Sequence, residues 1–228
     1  MASRGTFALK RDIVTVCRRL YERGLIAGPD GNVSVRVAPD RVLVTPAGMA
    51  KVDVQAEDLI ELSLDGQQLR GHARASSEVQ MHLRIYQRRA DVHAIVHAHP
   101  PTATGFSVAG ESLAECVLPE VIAQVGWVPL LPYATPGTAA LADAFEPYVA
   151  DHDAFLLANH GATTLGPTLA AAHQRMESLE HAARILLTAR LLGRVNTLTP
   201  AQVEALVQAR ERAMPGSRYP GCPVPPAR

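Results

Sequence analysis

Cysteine is scarce and scattered in this chain: Cys17, Cys116 and Cys222 are the only three. An odd, widely spaced set is neither the framework of a disulfide-stapled domain nor a cysteine-rich zinc site, and it points to a reducing, cytoplasmic compartment. Charge of one sign is missing too. Lys plus Arg and Asp plus Glu both number 22 in the 228 residues. No summed field draws in nucleic acid or an anionic membrane, so an anionic ligand must be recognised locally. No run of about 18 apolar residues occurs, and the opening MASRGTFALKRD has no apolar stretch with a cleavage site. The expectation is a protein neither secreted nor membrane-spanning. Aromatic residues are only 4% of the chain, but 47% of it is hydrophobic, ample for a buried core.

The patterning is mixed. Leu9, Ile13, Val16, Cys17 and Leu20 recur at helical spacing over residues 8–23, and Gly24 offers a stop. Val33, Val35 and Val37 alternate with polar residues after the Gly28-Pro29-Asp30-Gly31-Asn32 turn. Arg41 to Thr45 and Leu59 to Ser63 read as further short strands. Strands in such quick succession favour antiparallel pairing. Ser77 with Gln80 matches a capping box for a helix carrying Val79, Leu83 and Tyr86. Residues 92–99 and 154–158 are strand-like, a long helix spans 167–192, and Thr199-Pro200-Ala201-Gln202 caps the last one. No repeat, interdomain linker or Gly-x-Gly-x-x-Gly turn is present, which disfavours a dinucleotide fold. The chain is read as one domain over 1–228 with a Pro- and Gly-rich tail from about 215.

His97-Ala98-His99 and Asn159-His160-Gly161 carry the chemistry. On a strand, alternation puts His97 and His99 on one face, and borderline divalent metals favour imidazole nitrogen. A third imidazole from a strand end closes three corners of a tetrahedron. His93 shares the strand face but is set apart by Ile95, and His72, His82, His152, His173 and His181 have no such grouping. Glu78 falls at a helix start, where a carboxylate is stabilised. The amides of that helix start, the hydroxyls of Ser76 and Ser77, and the Gly31-Asn32 and Thr45-x-x-Gly48 turns are donors of the kind that hold a phosphate dianion.

Taken in order, Gly31-Asn32-Val33-Ser34-Val35-Arg36, Thr45-Pro46-Ala47-Gly48, Ser76-Ser77-Glu78, His97-Ala98-His99 and Asn159-His160-Gly161 resemble the class II aldolase/adducin family. The resemblance implies an α/β fold, a single α/β/α domain with a central, predominantly antiparallel sheet. It implies one Zn2+ per subunit on His97, His99, His160 and, at rest, Glu78, with Mn2+, Co2+ or Fe2+ as possible substitutes. Glu78 would then serve as the base. Asn32, Thr45, Gly48, Ser76 and Ser77, with Gly31 in the same turn, would hold the phosphate of a small-molecule substrate. The activity implied is reversible cleavage of a short ketose 1-phosphate into dihydroxyacetone phosphate and an aldehyde through an enediolate, in a homotetramer. Aldolases of this kind carry an acid tyrosine, given by a neighbouring subunit, where this chain has Leu118. Tyr219 loosely resembles a second active-site tyrosine, and Tyr133 is assigned to the scaffold. Decarboxylation of a phosphorylated or aromatic 3-oxo acid is the competing reading, because carbon dioxide leaves without that acid. Sugar-phosphate 4-epimerases of the family place Asp where Glu78 stands, and an adducin-like scaffold needs none of these ligands.

Overall fold

The computed structural model describes residues 5–213. One eight-stranded sheet organises them. The helix α1 (Thr6–Glu22) buries Ile13, Val16, Cys17 and Leu20 along one stripe, and Gly24 at φ 65° turns the chain out of it. Four strands follow, β1 (Asn32–Ala38), β2 (Arg41–Val44), β3 (Ile60–Ser63) and the short β4 (Gln68–Arg70). Each pairs antiparallel with the one before it. The chain then crosses through α2 (Val79–Arg88) to β5 (Ala94–Ala98), which lies antiparallel to β1 on its other side.

Helix α3 (Pro101–Val108) and the short α4 (Pro119–Gln124) lead to β6 (Leu130–Leu131), and α5 (Ala139–Asp143) to β7 (Ala154–Leu157). A tight turn through Asn159 at φ 55° joins β7 to β8 (Gly161–Gly166), which returns beside β5. Only β6 and β7 run parallel. The long α6 (Leu169–Leu191) and α7 (Pro200–Ala213) complete the chain.

Period-two alternation sorts the central strands between two cores. Val33, Ala94, Val96, Ala98 and Ala162 face a core shared with α1, α3 and α6. Val42, Ile60, Ile95, Phe155 and Leu165 face one shared with α2 and α5. The result is the expected α/β/α domain, a mostly antiparallel sheet with helices on both sides. No described helix is long and apolar enough to cross a membrane.

Two expectations change. Ser77 does not cap a helix: α2 begins at Val79, with Glu78 in the N-cap position and no side-chain cap bond. The local amides lose to partners across the site, which draw the Glu78 carboxylate away. The cysteines are not all unpaired either. Cys17 is a free, buried thiol on α1, whereas Cys116 is disulfide-bonded. Cys116 is buried in a small cluster with Ile122 of α4 and Val203 of α7. Cys222, Tyr219 and the tail from 215 lie outside the described residues.

Candidate metal and phosphate site

Strand β5 delivers His97 fully buried, and the turn after β7 brings His160 to meet it across β8. The ligating nitrogens of His97, His99 and His160 fall within 4.8 Å of one another, the grouping of histidine, cysteine and acidic side chains among the described residues that can hold a metal. The Glu78 carboxylate closes the fourth side: Oε1 is 2.9 Å from His160 Nε2 and Oε2 is 3.4 Å from His97 Nε2. Asn32, opposite His97 in the β1–β5 register, donates from Nδ2 to Glu78 Oε2 at 2.8 Å and to Ser76 Oγ at 3.2 Å.

The tautomers follow from the outer faces of the rings. His97 Nδ1 lies 3.0 Å from the Ala162 carbonyl, which can only accept, so Nδ1 carries the proton and Nε2 a lone pair. His99 Nδ1 lies 3.5 Å from Asp30 Oδ2, which assigns its proton the same way. The two Nε2 atoms then face each other at 3.3 Å, lone pair against lone pair. A cation between them turns that repulsion into coordination, so the donor set fits a divalent metal.

Burial pushes His97 down to about 3. Burial, and then the neighbouring His160, push His99 down as well. Burial alone would raise the Glu78 carboxyl, but His97, His160 and the Asn32 amide outweigh it and hold it below the ordinary carboxylate range. At neutral pH the site therefore presents the Glu78 carboxylate and the lone-pair imidazoles of His97 and His99, species a metal requires.

Backbone shape makes the meeting possible. Gly31 has φ 69°, and a Cβ there would fall 2.7 Å from the His97 carbonyl. A Cβ on Gly161 would fall 2.6 Å from both the Ala98 carbonyl and His99 Cδ2. Either side chain would push β5 and its imidazoles out of place.

Beside Glu78 opens a cavity of about 400 Å3, walled by Gly31, Gly48, Ser76, Ser77, His99 and His160. Of the residues read as phosphate ligands, Thr45 stands apart: it is fully buried beneath the cavity, and its Oγ1 accepts the Val33 N–H at 3.1 Å. Asn32 also lies below the cavity wall, where it holds Glu78 and Ser76. Leu118 is the N-cap residue of α4 and is not part of the wall. Tyr133 is 62% exposed in the single chain and is not part of the cavity wall.

The sequence reading missed Lys51, which is only 2% exposed and lines the cavity. Its Nζ donates to the carbonyls of Pro29 at 2.7 Å and Met49 at 2.9 Å, tying together the two turns that form the wall. Burial pushes its pKa down, while Cys17, Asp30 and Glu78 act to keep it charged. Among the described residues of that wall it is the one lysine or arginine. A lone lysine just past a turn carries no motif.

A larger cleft of about 780 Å3, lined by Arg89, Asp153, Arg175 and Arg210 among others, contains none of these imidazoles. Arg89 donates to Asp91, Asp153 and the carbonyls of Val149 and His152, and Arg175 to Asp153 and the carbonyls of Gln124 and Leu165. These donors are spent on the protein itself, and the chemistry belongs to the smaller cavity.

The model of the class II aldolase and adducin N-terminal domain matches residues 11–187. An L-fuculose phosphate aldolase of Methanocaldococcus jannaschii is 34% identical over 181 residues, covering 78% of this chain and 95% of the relative. A 3-oxo-tetronate 4-phosphate decarboxylase of Pectobacterium atrosepticum is 34% identical over 181 residues, covering 78% and 83%. The crystal structure of L-fuculose-1-phosphate aldolase from Thermus thermophilus superposes with a TM-score of 0.74 at 32% identity, over 86% of this chain and all of that one.

Proposed function

The chain belongs to the class II aldolase and adducin family, and from that membership we propose a zinc-dependent carbon–carbon lyase whose common step forms or consumes the enediolate of dihydroxyacetone phosphate. In its primary form the reaction is reversible cleavage of a short ketose 1-phosphate, of the L-fuculose-1-phosphate type, into dihydroxyacetone phosphate and an aldehyde. The observation that carries this reading is the convergence of one carboxylate, Glu78, with three imidazoles at the edge of a cavity walled by the hydroxyls of Ser76 and Ser77 and the turns at Gly31 and Gly48.

His97, His99, His160 and, before substrate enters, Glu78 would hold the metal, which supplies a Lewis acid that polarises the substrate carbonyl and offsets developing negative charge. Imidazole and carboxylate ligands also accept manganese, cobalt or iron. Gly31, Gly48, Ser76 and Ser77 would receive the phosphate, with Thr45 and Asn32 shaping the wall from below and Lys51 adding the positive charge a dianion requires. A phosphate so fixed sets the reacting carbon against Glu78. On cleavage Glu78 would deliver a proton to the enediolate carbon, completing dihydroxyacetone phosphate, and in the reverse direction it would take that proton from the hydroxymethyl carbon; the proton of the substrate's aldehyde-side hydroxyl leaves separately. Asn32 holds Oε2 and His160 Nε2 lies 2.9 Å from Oε1, so both carboxylate oxygens are oriented within the site.

Decarboxylation of a 3-oxo acid is the second reading, favoured by one observation, the leucine at position 118 where aldolases of the family carry their acid tyrosine. The two readings share a product. Loss of carbon dioxide from a 3-oxo-tetronate 4-phosphate leaves dihydroxyacetone phosphate through the same enediolate, so the site described serves either electrophile. Glu78, rather than aspartate, disfavours epimerisation, and a scaffold has no need of three converging imidazoles. The chain is further read as one domain assembled into a homotetramer. Val108 at the end of α3 and Leu191 and Leu192 at the end of α6 are apolar side chains left exposed in the single chain, which supports assembly.

Glu78→Gln tests the assignment. Turnover is expected to fall by about 10²–10⁴ while zinc stays bound to the three histidines. Unaltered turnover in that variant refutes the role given to Glu78.

A further inference from the structure

The rings of the three imidazoles differ on their outer faces. His97 Nδ1 meets backbone and hydroxyl oxygens, Ala162 O at 3.0 Å and Thr163 Oγ1 at 3.1 Å. His160 Nδ1 is buried without a hydrogen-bond partner. Only His99 turns its outer nitrogen to a charged group, Asp30 Oδ2 at 3.5 Å. We propose that Asp30 is a positioning residue of the metal centre: its carboxylate accepts the Nδ1–H of His99, fixes the tautomer that aims a lone pair inward from Nε2, and thereby raises the affinity of the site for a divalent cation. The inference rests on the reading of the three imidazoles as a metal site.

Asp30 is placed for this by its neighbours in the chain. On one side the Pro29 carbonyl is held by the buried Lys51 ammonium at 2.7 Å. On the other, Gly31 packs so closely on the His97 carbonyl that no Cβ fits between them. Asp30 itself closes a turn through its N–H to the Ala27 carbonyl at 3.0 Å. The carboxylate is therefore set beside His99 before any metal arrives, and ordering it costs little on binding. An acceptor of that kind on a ligating histidine locks the ring's orientation and makes the inner nitrogen more basic. The Asp30 side chain is 47% exposed, so solvent screens part of its charge and the effect belongs near the lower end of the usual range.

The test is zinc affinity, read by competition with a chromophoric chelator, in the full-length chain and its Asp30→Asn and Asp30→Ala variants. Melting of the metal-free proteins is recorded alongside. Asp30→Ala is expected to weaken zinc binding by about tenfold or more. Asp30→Asn keeps an acceptor but not the charge, and is expected to fall between. Metal-free melting should be the same in all three. Zinc affinity in Asp30→Ala within about twofold of the parent overturns the proposal, as does a parallel drop in metal-free melting, which would make Asp30 a loop residue only. A parent chain that takes up no zinc refutes the metal reading itself, and the inference with it, before any variant is compared.

Discussion

His82 shows at the residue scale what a buried polar side chain does here without touching the reaction. Its Nδ1 and Ser34 Oγ are 2.7 Å apart, and Ser34 Oγ also meets the Tyr86 hydroxyl at 2.9 Å, all under the sheet. Burial pushes the His82 imidazole down from 6.5 to about 4. The unfolded chain takes up the proton first as pH falls, so the folded state is progressively disfavoured between pH 6.5 and 4. One such group accounts for about 3 kcal/mol across the full window. Urea unfolding at pH 7 and pH 4.5 should therefore show a loss of stability that His82→Gln reduces; an unchanged pH slope in the variant would dismiss the imidazole as the cause. The sequence showed none of this, because Ser34, His82 and Tyr86 meet only once β1 and α2 are packed. His97, His99, His160 and Glu78 were legible because the family's motifs name them in order. Lys51 and Asp30 were not, because each acts through a backbone carbonyl or a ring nitrogen that no motif encodes.

Elements deliver the site by close approach of backbone. The turn between β7 and β8 runs against the end of β5, and Gly161 is the residue that lets it. Gly161→Ala places a methyl group against the Ala98 carbonyl and the His99 ring, and is expected to cost about 2 kcal/mol with a loss of zinc affinity. Calorimetry with and without zinc checks both, and a variant matching the parent in each would contradict the packing described. At α7 the reading from sequence held in detail: Gln202 N–H donates to Thr199 Oγ1 at 3.3 Å, and the Gln202 side chain receives the Thr199 N–H at 2.9 Å. Thr199→Ala should cost about 1 kcal/mol in thermal unfolding. The long helices and the strands β1 to β3 announced themselves by periodicity. Elements such as β4, β6, α4 and α5, two to six residues long, are too short to show a period and form only where the sheet and the larger helices leave them a place. At α2 the capping pattern misled, since Glu78 is claimed by Asn32 and His160 rather than by the helix it precedes.

At the scale of the whole molecule, the two ends of the sheet do different work. At one end the close of β5, the turn before β8 and the residue before α2 present His97, His99, His160 and Glu78. At the other, Asp153 before β7 joins Arg89 after α2 to Arg175 on α6, at 2.7 Å and 3.1 Å, binding both helical layers to the sheet. Asp153→Asn leaves two guanidinium groups short of their shared counterion and is expected to cost about 3 kcal/mol in urea unfolding, with zinc affinity retained. Stability equal to the parent would make the pair ornamental. The family and the architecture were legible from five ordered motifs, whereas the reaction is not fixed by them, because aldol cleavage and decarboxylation diverge only in the electrophile. Their shared step is open to direct measurement without knowing that electrophile. Dihydroxyacetone phosphate is incubated with the zinc-loaded protein in heavy water, and deuterium at its hydroxymethyl carbon is followed by NMR. The parent chain is expected to incorporate deuterium there and Glu78→Gln to incorporate none; no exchange by the zinc-loaded parent, or equal exchange by the variant, would contradict the account.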